Sequence, residues 1–472
     1  MENFGLRIGE EEIISLSSFE VFHKYTGEPL ATISKAEKEH VKQAVDVAVK
    51  TFETDQLTPY QRFEILNNAS KLLKERKEEI SELLVKEVGK TISEAEVEVD
   101  RAVQTLLVSS EEAKRIGGEV VPLSASPGSE SKMGYYVRTP IGVVCAITPF
   151  NVPLNLSCHK IGPAIASGNT VVWKPSSDTP INAYVLMDIL REAGLPAGYV
   201  NLICGEGSKV GNWLLEDERI NKYTFTGSPG VGLHIKQNSG FRNVSLELGN
   251  NSPNIIHHDA DVTKAAELCT KWGFTNAGQA CISAQRLYVH KSIKEEFLSH
   301  LTKHTKAIKM GDPMDPSTNM GPLISKREAD RIKNWIDEAV SLGAKLVTGG
   351  QQDGSFITPT ILESVNNEMK VVCEEIFGPV MTIITYEDID EAIKQANDSQ
   401  YGLQSGIFTS NIHTAMYVSN QLRTGGVIIN DASTYRADLM PYGGIKNSGT
   451  GREGPQYAIE EMTELKLIVI NT

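Results

Sequence analysis

The spacing of hydrophobic residues divides the chain into a helical first part and a longer part in which strands and helices alternate. From residue 36 to residue 115, apolar residues recur three and four positions apart among lysines and glutamates, which predicts a layer of amphipathic helices. From residue 141 onward, short β-branched runs separate helical stretches. The first series of predicted strands covers 143–147, 170–173, 199–204, 222–226 and 243–246. This βαβ alternation is typical of a parallel sheet.

A second strand series begins at Asn254 and predicts a second α/β lobe. Its strands are expected at 287–289, 345–347, 381–384 and 427–429. Residues 117–139 combine prolines, glycines and serines with a short Tyr-Tyr-Val run, which predicts a β-hairpin arm rather than a domain. No helical pattern follows the apolar stretch 465–470, so we expect this stretch to form a strand that pairs with the arm.

Composition and charge narrow the class of protein. The chain has 472 residues, of which 40% are hydrophobic and 22% charged, and 46 basic against 60 acidic side chains give a net charge of −14. At about 150 residues per domain, this length predicts two or three folded domains. The acidic balance, without a cluster of four basic residues, argues against a nucleic-acid or anionic-membrane partner. A local basic pocket for a small anion stays open.

The sequence gives no signal for export, membrane insertion or metal binding. Its first residues include Glu10, Glu11 and Glu12 in place of the basic start and apolar core of a secretory signal. The longest apolar run, around 141–147, is far shorter than the roughly 20 residues of a membrane-spanning helix. Six cysteines without a CxxC pair predict neither a disulfide framework nor a zinc site. We expect a cytoplasmic protein with reduced thiols and no metal.

Three short motifs carry candidate chemistry. Cys281 follows small residues in FTNAGQAC, and an accessible thiol is a candidate nucleophile, although a buried inert cysteine is the alternative. Glu247 ends an apolar strand, where a carboxylate is unfavourable unless it is paired or used. Asn151 lies between two prolines in TPFNVP, which presents its amide as an oxyanion donor, unless the motif is a plain proline turn.

Three further motifs favour a nucleotide. Lys174 closes a predicted strand in WKP, and FTGSPGVG at 225–232 joins a strand to a helix through glycines and a hydroxyl, as a phosphate-facing helix start requires. The stretch 205–211, GEGSKVG, is one residue too long before its last glycine to match GxGxxG, and no acidic residue follows at the expected distance. Taken alone, this last stretch is a weak signal.

Together these motifs, followed by EEIFGPV at 374–380 and PYGGIKNSGTGRE at 441–453, resemble the aldehyde dehydrogenase superfamily, and the similarity is greatest to its lactaldehyde-oxidising branch. The match runs in order from about Ser34 to the end of the chain. It implies an α/β fold with a Rossmann-type NAD(P)-binding domain (1–118 and 140–249), an α/β catalytic domain (250–437), and a β oligomerisation arm with a C-terminal tail (119–139 and 438–472). Family members assemble through such an arm, so a homodimer or homotetramer is expected.

The resemblance also implies roles for the motif residues. The Cys281 thiolate would attack an aldehyde, and the Asn151 side chain with the Cys281 amide would hold the oxyanion. After hydride transfer to NAD or NADP, Glu247 would act as general base for hydrolysis of the thioester; relatives that acylate coenzyme A usually lack this carboxylate. Lys160 is the fourth residue for which the resemblance implies a part in catalysis, and it would lie on the nicotinamide side of the cofactor site. The other implied cofactor contacts are Ile147, Thr148, Pro149, Phe150, Lys174, Ser176, Ser177, Gly207, Phe225, Thr226, Gly227, Ser228, Gly232, Leu248, Glu375 and Phe377.

Two residues depart from the family pattern. Ser177 stands where NAD-selective members have a glutamate that binds the ribose hydroxyls, and a serine near Lys174 does not repel a 2′-phosphate. This allows use of NADP, whereas the alternative is that NAD binding merely loses a contact. Asn250 stands where a second glycine is common, so the backbone there is expected to be less free.

The expected substrate is a short polar aldehyde: lactaldehyde, a semialdehyde or a sulfonated aldehyde. Members that oxidise certain phosphorylated or phosphonated aldehydes carry an arginine just before the nucleophile, where this chain has Ala280. Arg101 and Arg436 are candidates to meet an anionic or hydroxylated tail, with a surface or interface ion pair as the alternative for each. The full set of predicted substrate contacts is Arg101, Val152, Ala280, Ile282, Tyr435 and Arg436.

Two other functions compete with this interpretation. A cysteine hydrolase or acyltransferase needs a histidine base near Cys281, and the nearest histidine in the sequence, His290, lies on a predicted strand. That function also leaves the nucleotide motifs unexplained. A catalytically silent homologue with a structural role would be free to lose Asn151, Glu247 or Cys281, yet all three are present.

Overall fold

The structure is a computed structural model that describes residues 2–471. Its strands are β1 Glu2–Phe4, β2 Leu6–Ile8, β3 Glu11–Ile13, β4 Ser18–Phe22, β5 Pro29–Ser34, β6 Val120–Val121, β7 Lys132–Pro140, β8 Val143–Ile147, β9 Thr170–Lys174, β10 Val200–Leu202, β11 Ile220–Thr226, β12 Asn243–Glu247, β13 Pro253–Ile256, β14 Arg286–His290, β15 Lys345–Thr348, β16 Gln352–Asp353, β17 Phe356–Ile357, β18 Thr360–Glu363, β19 Val380–Tyr386, β20 Gln404–Phe408, β21 Gly426–Ile429, β22 Gly449–Thr450 and β23 Thr463–Asn471.

The helices are α1 Lys38–Thr54, α2 Pro59–Glu75, α3 Lys77–Val88, α4 Ile92–Ala113, α5 Pro153–Ala166, α6 Ile181–Glu192, α7 Gly207–Glu216, α8 Pro229–Asn238, α9 Val262–Phe274, α10 Lys294–Lys306, α11 Lys326–Ser341, α12 Lys370–Cys373, α13 Ile389–Asn397, α14 Ile412–Gln421 and α15 Pro455–Glu461. None of the helices among residues 2–471 combines the length and the apolar character needed to span a membrane.

The predicted helical layer at 36–115 is present as α1 to α4. Two of these helices begin with a capping box, in which Thr58 pairs with Gln61 and Thr91 pairs with Glu94. Such reciprocal side-chain bonds satisfy the free amide groups of a first helical turn. The buried faces of the four helices join one core with the first large sheet.

The first large sheet has the strand order β22-β12-β11-β8-β9-β10-β2-β3. Strands β8 to β12 are parallel to one another, and all five were predicted from the sequence. The chain order reverses between β8 and β11, and ligands of such sheets bind outside the carboxyl ends of the strands at this crossing point. Four predicted site motifs follow directly from these ends, after β8, β9, β11 and β12.

The second large sheet has the order β15-β18-β19-β14-β13-β20-β21. Its strands are parallel except β15, the predicted strand 345–347, which pairs antiparallel with β18 at the edge. The pairing of β13 with β14 matters for the site, because it fixes the segment between α9 and β14 that carries Cys281.

The predicted arm is a separate three-stranded sheet. Strand β7 pairs antiparallel with β6 and, over nine residue pairs, with the C-terminal strand β23. The expected pairing of the tail with the arm is therefore present.

The structure differs from the sequence expectation at both ends of the chain. Five short strands precede α1, and two of them, β2 and β3, extend the first large sheet. Near the other end, β22 pairs with β12, so part of the expected tail region 438–472 belongs to the first sheet. The residue bounds of the three domains stay a prediction.

All six cysteines are free thiols, and four of them are buried.

Candidate active site

Two cavities meet at Cys281. The larger cavity, of about 540 Å³, lies along the carboxyl ends of the first sheet, and the smaller cavity, of about 400 Å³, lies between α4, α5 and the segment around residue 276. Asn151, Leu156 and Cys281 line both cavities. A group bound in either cavity can therefore approach the same sulfur atom.

The segment before Cys281 is held in an unusual backbone conformation. Asn276, Ala277 and Gly278 all have positive φ angles, of 50°, 54° and 71°. A Cβ atom on Gly278 would lie 2.1 Å from the backbone oxygen of Gly378, so only glycine fits there. Non-glycine residues in this region are strained and persist where the surroundings hold them in place, which here fixes the position of the cysteine.

The Cys281 thiol lies 3.0 Å from the hydroxyl group of Tyr442. Burial raises the pKa of the thiol to about 12, against the opposing effects of the Tyr442 hydrogen bond and the positive charge of Arg436. The thiol is therefore protonated at neutral pH in this state, and attack on a carbonyl requires removal of its proton.

Asn151, for which the resemblance implies the oxyanion role, lines both cavities together with Cys281. It lies just before α5, its Nδ2 donates to the Gln279 backbone oxygen at 2.8 Å, and its own backbone oxygen accepts from Asn276 Nδ2 at 3.1 Å. An amide nitrogen carries two hydrogens, so one stays free. Within residues 2–471 the Cys281 backbone N–H is not engaged in a hydrogen bond, which leaves it available beside the sulfur.

Glu247 ends β12 and lines the larger cavity together with Cys281. The residue is only 4% exposed, and neither carboxylate oxygen has a hydrogen-bond partner within residues 2–471. Burial, together with the nearby charge of Glu453, raises the pKa of Glu247 well above its ordinary value, although Arg436 and Lys160 oppose this. An unpartnered carboxylate with a raised pKa is suited to accept a proton.

Lys160 does not line either cavity. It is buried beneath the site, where its Nζ lies 2.9 Å from Glu453 Oε1 and 3.3 Å from Thr224 Oγ1. Burial would raise the pKa of Glu453, but Lys160 and Arg436 outweigh burial and hold that pKa well below its usual range. Lys160 therefore lies under the site as part of a buried ion pair, and its implied place on the nicotinamide side stays a prediction.

Most predicted cofactor contacts converge on the larger cavity. Apart from Lys160, Gly232 is the one implied contact that does not line it. A Cβ atom on Gly232 would lie 2.4 Å from Leu248 Cδ2, so this glycine allows α8 to pack closely on the Leu248 side chain. The cavity also has lining residues that the sequence did not indicate: Asp178, Gly249, Gln279, Ile324, Ser325, Arg327, Glu328 and Arg331.

One end of the larger cavity carries Lys174, Ser177 and Asp178. Burial lowers the pKa of Lys174, whose Nζ donates to the Pro175 backbone oxygen at 3.2 Å. Ser177 Oγ donates to the Gly205 backbone oxygen at 2.9 Å. The adjacent Asp178 carboxylate is a negative charge that the sequence motifs did not indicate at this end.

Glu375 and Phe377 lie on the opposite wall. Glu375 Oε1 accepts from the backbone amide of Asn250 at 2.9 Å, and burial raises the pKa of Glu375 to about 7. Asn250 lies outside the left-handed backbone region, so the asparagine fits where relatives have glycine. Its side chain instead bonds Ser252 Oγ at 2.6 Å.

The smaller cavity is lined by five of the six predicted substrate contacts, all except Tyr435. Arg101 lines it and also forms two hydrogen bonds to Asp438, of 3.1 Å from Nε and 2.8 Å from Nη2. Asp438 further accepts from Asn155 Nδ2 at 2.9 Å. Arg101 thus forms an ion pair, which was the alternative to a substrate contact, and it also lines the cavity.

Arg436 and Trp272 bring further hydrogen-bond donors to the smaller cavity. Arg436 Nη2 donates to Glu453 Oε2 at 2.8 Å, and its guanidinium group lies 3.7 Å from the centre of the Tyr442 ring. Arg436 Nε and Trp272 Nε1 are both buried without a partner within residues 2–471. Four basic and two acidic side chains line this cavity, namely Lys90, Arg101, Lys271 and Arg436 against Glu94 and Glu98.

Comparison with known proteins identifies the family. The model of the aldehyde dehydrogenase family matches residues 13–468. The chain belongs to this family. The aldehyde dehydrogenase assignment drawn from the motifs is therefore confirmed, and the protein is an enzyme of this class.

Two curated aldehyde dehydrogenases illustrate the similarity in sequence. The 3-sulfolactaldehyde dehydrogenase of Priestia aryabhattai is 51% identical over 471 residues, covering 100% of this chain and 98% of that protein. The lactaldehyde dehydrogenase of Methanococcus aeolicus is 40% identical, covering 98% of this chain and 99% of that protein.

Two solved aldehyde dehydrogenase structures share the fold. A glyceraldehyde-3-phosphate dehydrogenase from Methanocaldococcus jannaschii, complexed with NADP, has a TM-score of 0.93 at 40% identity and covers 96% of this chain and 99% of that chain. A betaine aldehyde dehydrogenase from Staphylococcus aureus, in complex with NAD+, has a TM-score of 0.95 at 34% identity, with 99% and 95% covered. The cofactor of this aldehyde dehydrogenase is NAD or NADP.

Several residues of this aldehyde dehydrogenase site were not singled out from the sequence. Tyr442 and Glu453 lie within the PYGGIKNSGTGRE motif, but the motif alone does not say that one contacts the thiol and the other the buried lysine. Asp438 and Trp272 gave no signal, because their contacts join segments that are distant in sequence. The charge partner of Lys160 could have been sought at Glu453, the single acidic residue of that motif.

Proposed function

We propose that the protein oxidises a short polar aldehyde, of the lactaldehyde, semialdehyde or sulfonated aldehyde type, to the carboxylate, with Cys281 as nucleophile, Asn151 as oxyanion donor and Glu247 as general base. One observation carries this proposal above the others. Cys281 lies at the junction of two cavities, and the buried, unpartnered carboxylate of Glu247 lines one of them beside it.

The first step is addition of sulfur to the aldehyde carbon. The thiol loses its proton, a C–S bond forms, and the electron pair of the carbonyl moves to oxygen. Because burial holds the thiol protonated, a nearby base must take this proton, and Glu247 is the unpartnered carboxylate on the same cavity. The free hydrogen of Asn151 Nδ2 and the Cys281 N–H then stabilise the oxyanion.

The second half of the reaction converts the thioester to product. NAD or NADP, when bound, supplies the hydride acceptor for the oxidation. The larger cavity fits this group, since it runs along the carboxyl ends of the first sheet, where such cofactors bind, and Lys174, Ser177 and Glu375 are the polar residues that would hold it. Glu247 releases the thiol proton to solvent through the larger cavity. The ionised carboxylate then takes a proton from a water molecule as the oxygen of that water attacks the thioester, and the Cys281 sulfur leaves as a thiolate.

The lining of the smaller cavity favours an aldehyde whose far end carries acceptor oxygens. The cavity has an excess of basic side chains, and two buried donors, Arg436 Nε and Trp272 Nε1, have no acceptor within residues 2–471. A sulfonate or a carboxylate supplies several acceptor oxygens, and the forked N–H donors of an arginine side chain can bond two such oxygens at once. The 3-sulfolactaldehyde dehydrogenase of P. aryabhattai is named for such a substrate, whereas lactaldehyde itself offers a hydroxyl group.

The test is the initial rate of NADH or NADPH formation at 340 nm for the wild type and Cys281→Ala. The aldehyde panel contains lactaldehyde, glycolaldehyde, succinate semialdehyde, 3-sulfolactaldehyde, a phosphorylated aldehyde and an aromatic aldehyde, each with NAD and NADP. We expect wild-type turnover with a polar aldehyde and none with Cys281→Ala. If the wild type binds the cofactor but turns over only the aromatic aldehyde, or if Cys281→Ala retains activity, the proposal is wrong.

The hydrolase alternative has less support. Histidine does not line either cavity within residues 2–471, and the buried His159 is turned toward Asp438, with Nε2 2.9 Å from Oδ1. A cysteine hydrolase would need an imidazole within hydrogen-bond reach of the thiol. Turnover of an aldehyde that depends on NAD or NADP would distinguish the dehydrogenase from this alternative.

A further inference from the structure

A cluster of three histidines and one aspartate lies at the carboxyl ends of two neighbouring strands of the second sheet. His257, His258 and Asp259 follow β13, and His290 ends its parallel neighbour β14. The ring centres of His257 and His258 are 4.2 Å apart, and His258 lies 5.3 Å from His290. None of these residues lines either cavity of the active site.

Three of these residues can direct ligand atoms to one point. One ligand atom each from His257, His258 and Asp259 lies within 4.8 Å of the other two. Zinc–nitrogen bonds of about 2.0–2.1 Å place tetrahedral ligand atoms about 3.4 Å apart. His258 is exposed, so rotation of its free ring can close this difference without moving a strand.

The surrounding hydrogen bonds resemble those that orient metal ligands. His257 Nδ1 lies 2.9 Å from the hydroxyl group of Tyr386, which itself donates to the Ile256 backbone oxygen at 3.4 Å. This arrangement makes Nδ1–H the donor and leaves Nε2 of His257 as a free ligand atom. Asp259 accepts from Thr409 Oγ1 at 2.7 Å and from Ser410 Oγ at 2.9 Å, which fixes the carboxylate.

His290 has a different role in the cluster. Its Nδ1 accepts from the Ser292 backbone amide at 3.2 Å, so the proton of the neutral ring is on Nε2. That nitrogen cannot bind a metal without a change of tautomer. His290 therefore forms a wall of the cluster.

We propose that His257, His258 and Asp259 form a binding site for a divalent transition metal of the Zn²⁺ type. Two imidazoles with one carboxylate suit Zn²⁺, Ni²⁺ or Cu²⁺ rather than Ca²⁺ or Mg²⁺, which prefer oxygen ligands throughout. Three protein ligands with an exposed His258 leave water in the fourth position. The site is independent of the aldehyde chemistry. It departs from the expectation of no metal, which rested on the lack of a CxxC pair, because its three adjacent ligands include no cysteine.

The experiment is calorimetric titration of the tag-free full chain with Zn²⁺ alone. The titrated protein carries Cys281→Ala, since the active-site thiol is itself a zinc ligand. The test variants add His258→Gln or Asp259→Asn. The matched control adds His300→Gln with His304→Gln, which removes two histidines one turn apart on α10. Turnover of aldehyde by His258→Gln in the chain with Cys281 intact checks that this change leaves the fold unaltered.

We expect the parent and the α10 control each to bind one Zn²⁺. Both test variants should lose this binding or bind Zn²⁺ at least about tenfold more weakly, because removing a metal ligand lowers the affinity more than removing a hydrogen bond that orients a ligand. Tyr386→Phe should weaken binding while leaving the site count at one. If the parent binds no Zn²⁺, or if only the α10 control loses it, the proposal is overturned.

Discussion

Glu247 illustrates how burial and a like charge prepare one carboxylate for proton transfer while its neighbour stays ionised. Glu453 is buried too, but Lys160 and Arg436 each bond it, so its pKa falls while that of Glu247 rises. When the surroundings of two neighbouring carboxyl groups move their pKa values in opposite directions, the group with the raised pKa is the candidate proton acceptor. We therefore expect the ion pair of Lys160 and Glu453, which line neither cavity, to act on the chemistry through Glu247.

Glu247→Gln should separate acylation from hydrolysis. Because the amide cannot take a proton from water, we expect a burst of NADH or NADPH close to one per active site, followed by a steady rate reduced by about 10²- to 10⁴-fold. The burst should form more slowly than in the wild type, because the thiol also loses its base. The measurement is stopped-flow absorbance at 340 nm, with Cys281→Ala as the control without a burst. Steady turnover at the wild-type rate would rule out Glu247 as the hydrolytic base.

The raised pKa of Glu247 also sets the direction of the pH dependence. Below that pKa the carboxyl group holds its proton and cannot serve as base, so the hydrolytic rate should increase as the pH rises through it. We expect a wild-type kcat that rises as the pH increases through the raised pKa of Glu247, when hydrolysis limits turnover. The residual kcat of Glu247→Gln should lack this rise.

We expect Trp272, which the sequence did not indicate, to be a specificity determinant. Its Nε1 is a buried donor without a partner within residues 2–471, in a residue that lines the smaller cavity. Trp272→Phe removes the donor and keeps most of the ring. For 3-sulfolactaldehyde or succinate semialdehyde we expect KM to rise about tenfold, consistent with one lost hydrogen bond to a charged group, with little change in kcat.

Trp213→Phe on α7 is the matched control, because Trp213 does not line the smaller cavity. A neutral aldehyde such as glycolaldehyde should show almost no change in KM with either variant. Equal increases in KM for charged and neutral aldehydes would mean that Trp272 only shapes the cavity.

The elements of this fold were predictable where burial imposes a strong pattern. Strands β8 and β9 lie in the centre of a sheet, and most of their side chains are apolar and buried, so VVCAI and TVVW stand out as short continuous runs. Strands β1 to β3 have only three residues each and carry several charged side chains, which gives too short a pattern to recognise. The motifs at the strand ends could be located because each one directly follows a recognisable strand.

Contacts between distant segments were not predictable from one sequence. Arg101 bonds Asp438, which lies 337 positions away, and Lys160 bonds Glu453 at a separation of 293. The motifs indicated that these basic residues lie near the site, but nothing local shows that each one already has a carboxylate partner. Pairing of this kind depends on how α4, α5 and the C-terminal segment come together.

The segment that carries Cys281 depends on Gly278. Gly278→Ala adds a Cβ that would lie 2.1 Å from the Gly378 backbone oxygen, in addition to placing alanine at a φ of 71°. We expect a lower free energy of unfolding by about 1–3 kcal/mol and a loss of kcat, because the thiol shifts from Asn151 and Glu247. Denaturant unfolding and turnover at 340 nm measure the two effects.

Gly27→Ala is the matched control for Gly278→Ala. Comparing the two variants separates the effect of the close contact with Gly378 from the effect of the positive φ angle. Gly27 has a similar φ of 76°, is exposed, and has nothing within 4 Å of the position that a Cβ atom would take, so alanine there carries only the backbone strain of about 1–2 kcal/mol. Its kcat should match the wild type. If Gly278→Ala also keeps full kcat, the strained segment does not control the position of the thiol.

The arm sheet is the surface through which we expect copies of this chain to assemble. Strand β23 is an edge strand, paired on one side with β7, and Leu465, Leu467 and Val469 on one of its faces are 57%, 57% and 48% exposed. A long apolar edge strand is unfavourable in water and tends to pair with another chain. This matches the homodimer or homotetramer that the resemblance implies.

Leu467→Glu tests this assembly by placing a charge in the centre of the apolar face. Successive side chains of a strand point to opposite faces, so the neighbouring Lys466→Glu changes charge on the other face of β23 and is the matched control. Light scattering after size exclusion should give an oligomeric mass for the wild type and for Lys466→Glu, and a monomer for Leu467→Glu. Because Cys281 and both cavities lie outside the arm sheet, that monomer should still bind NAD or NADP. An unchanged mass for Leu467→Glu, or equal dissociation of both variants, would place the interface on another surface.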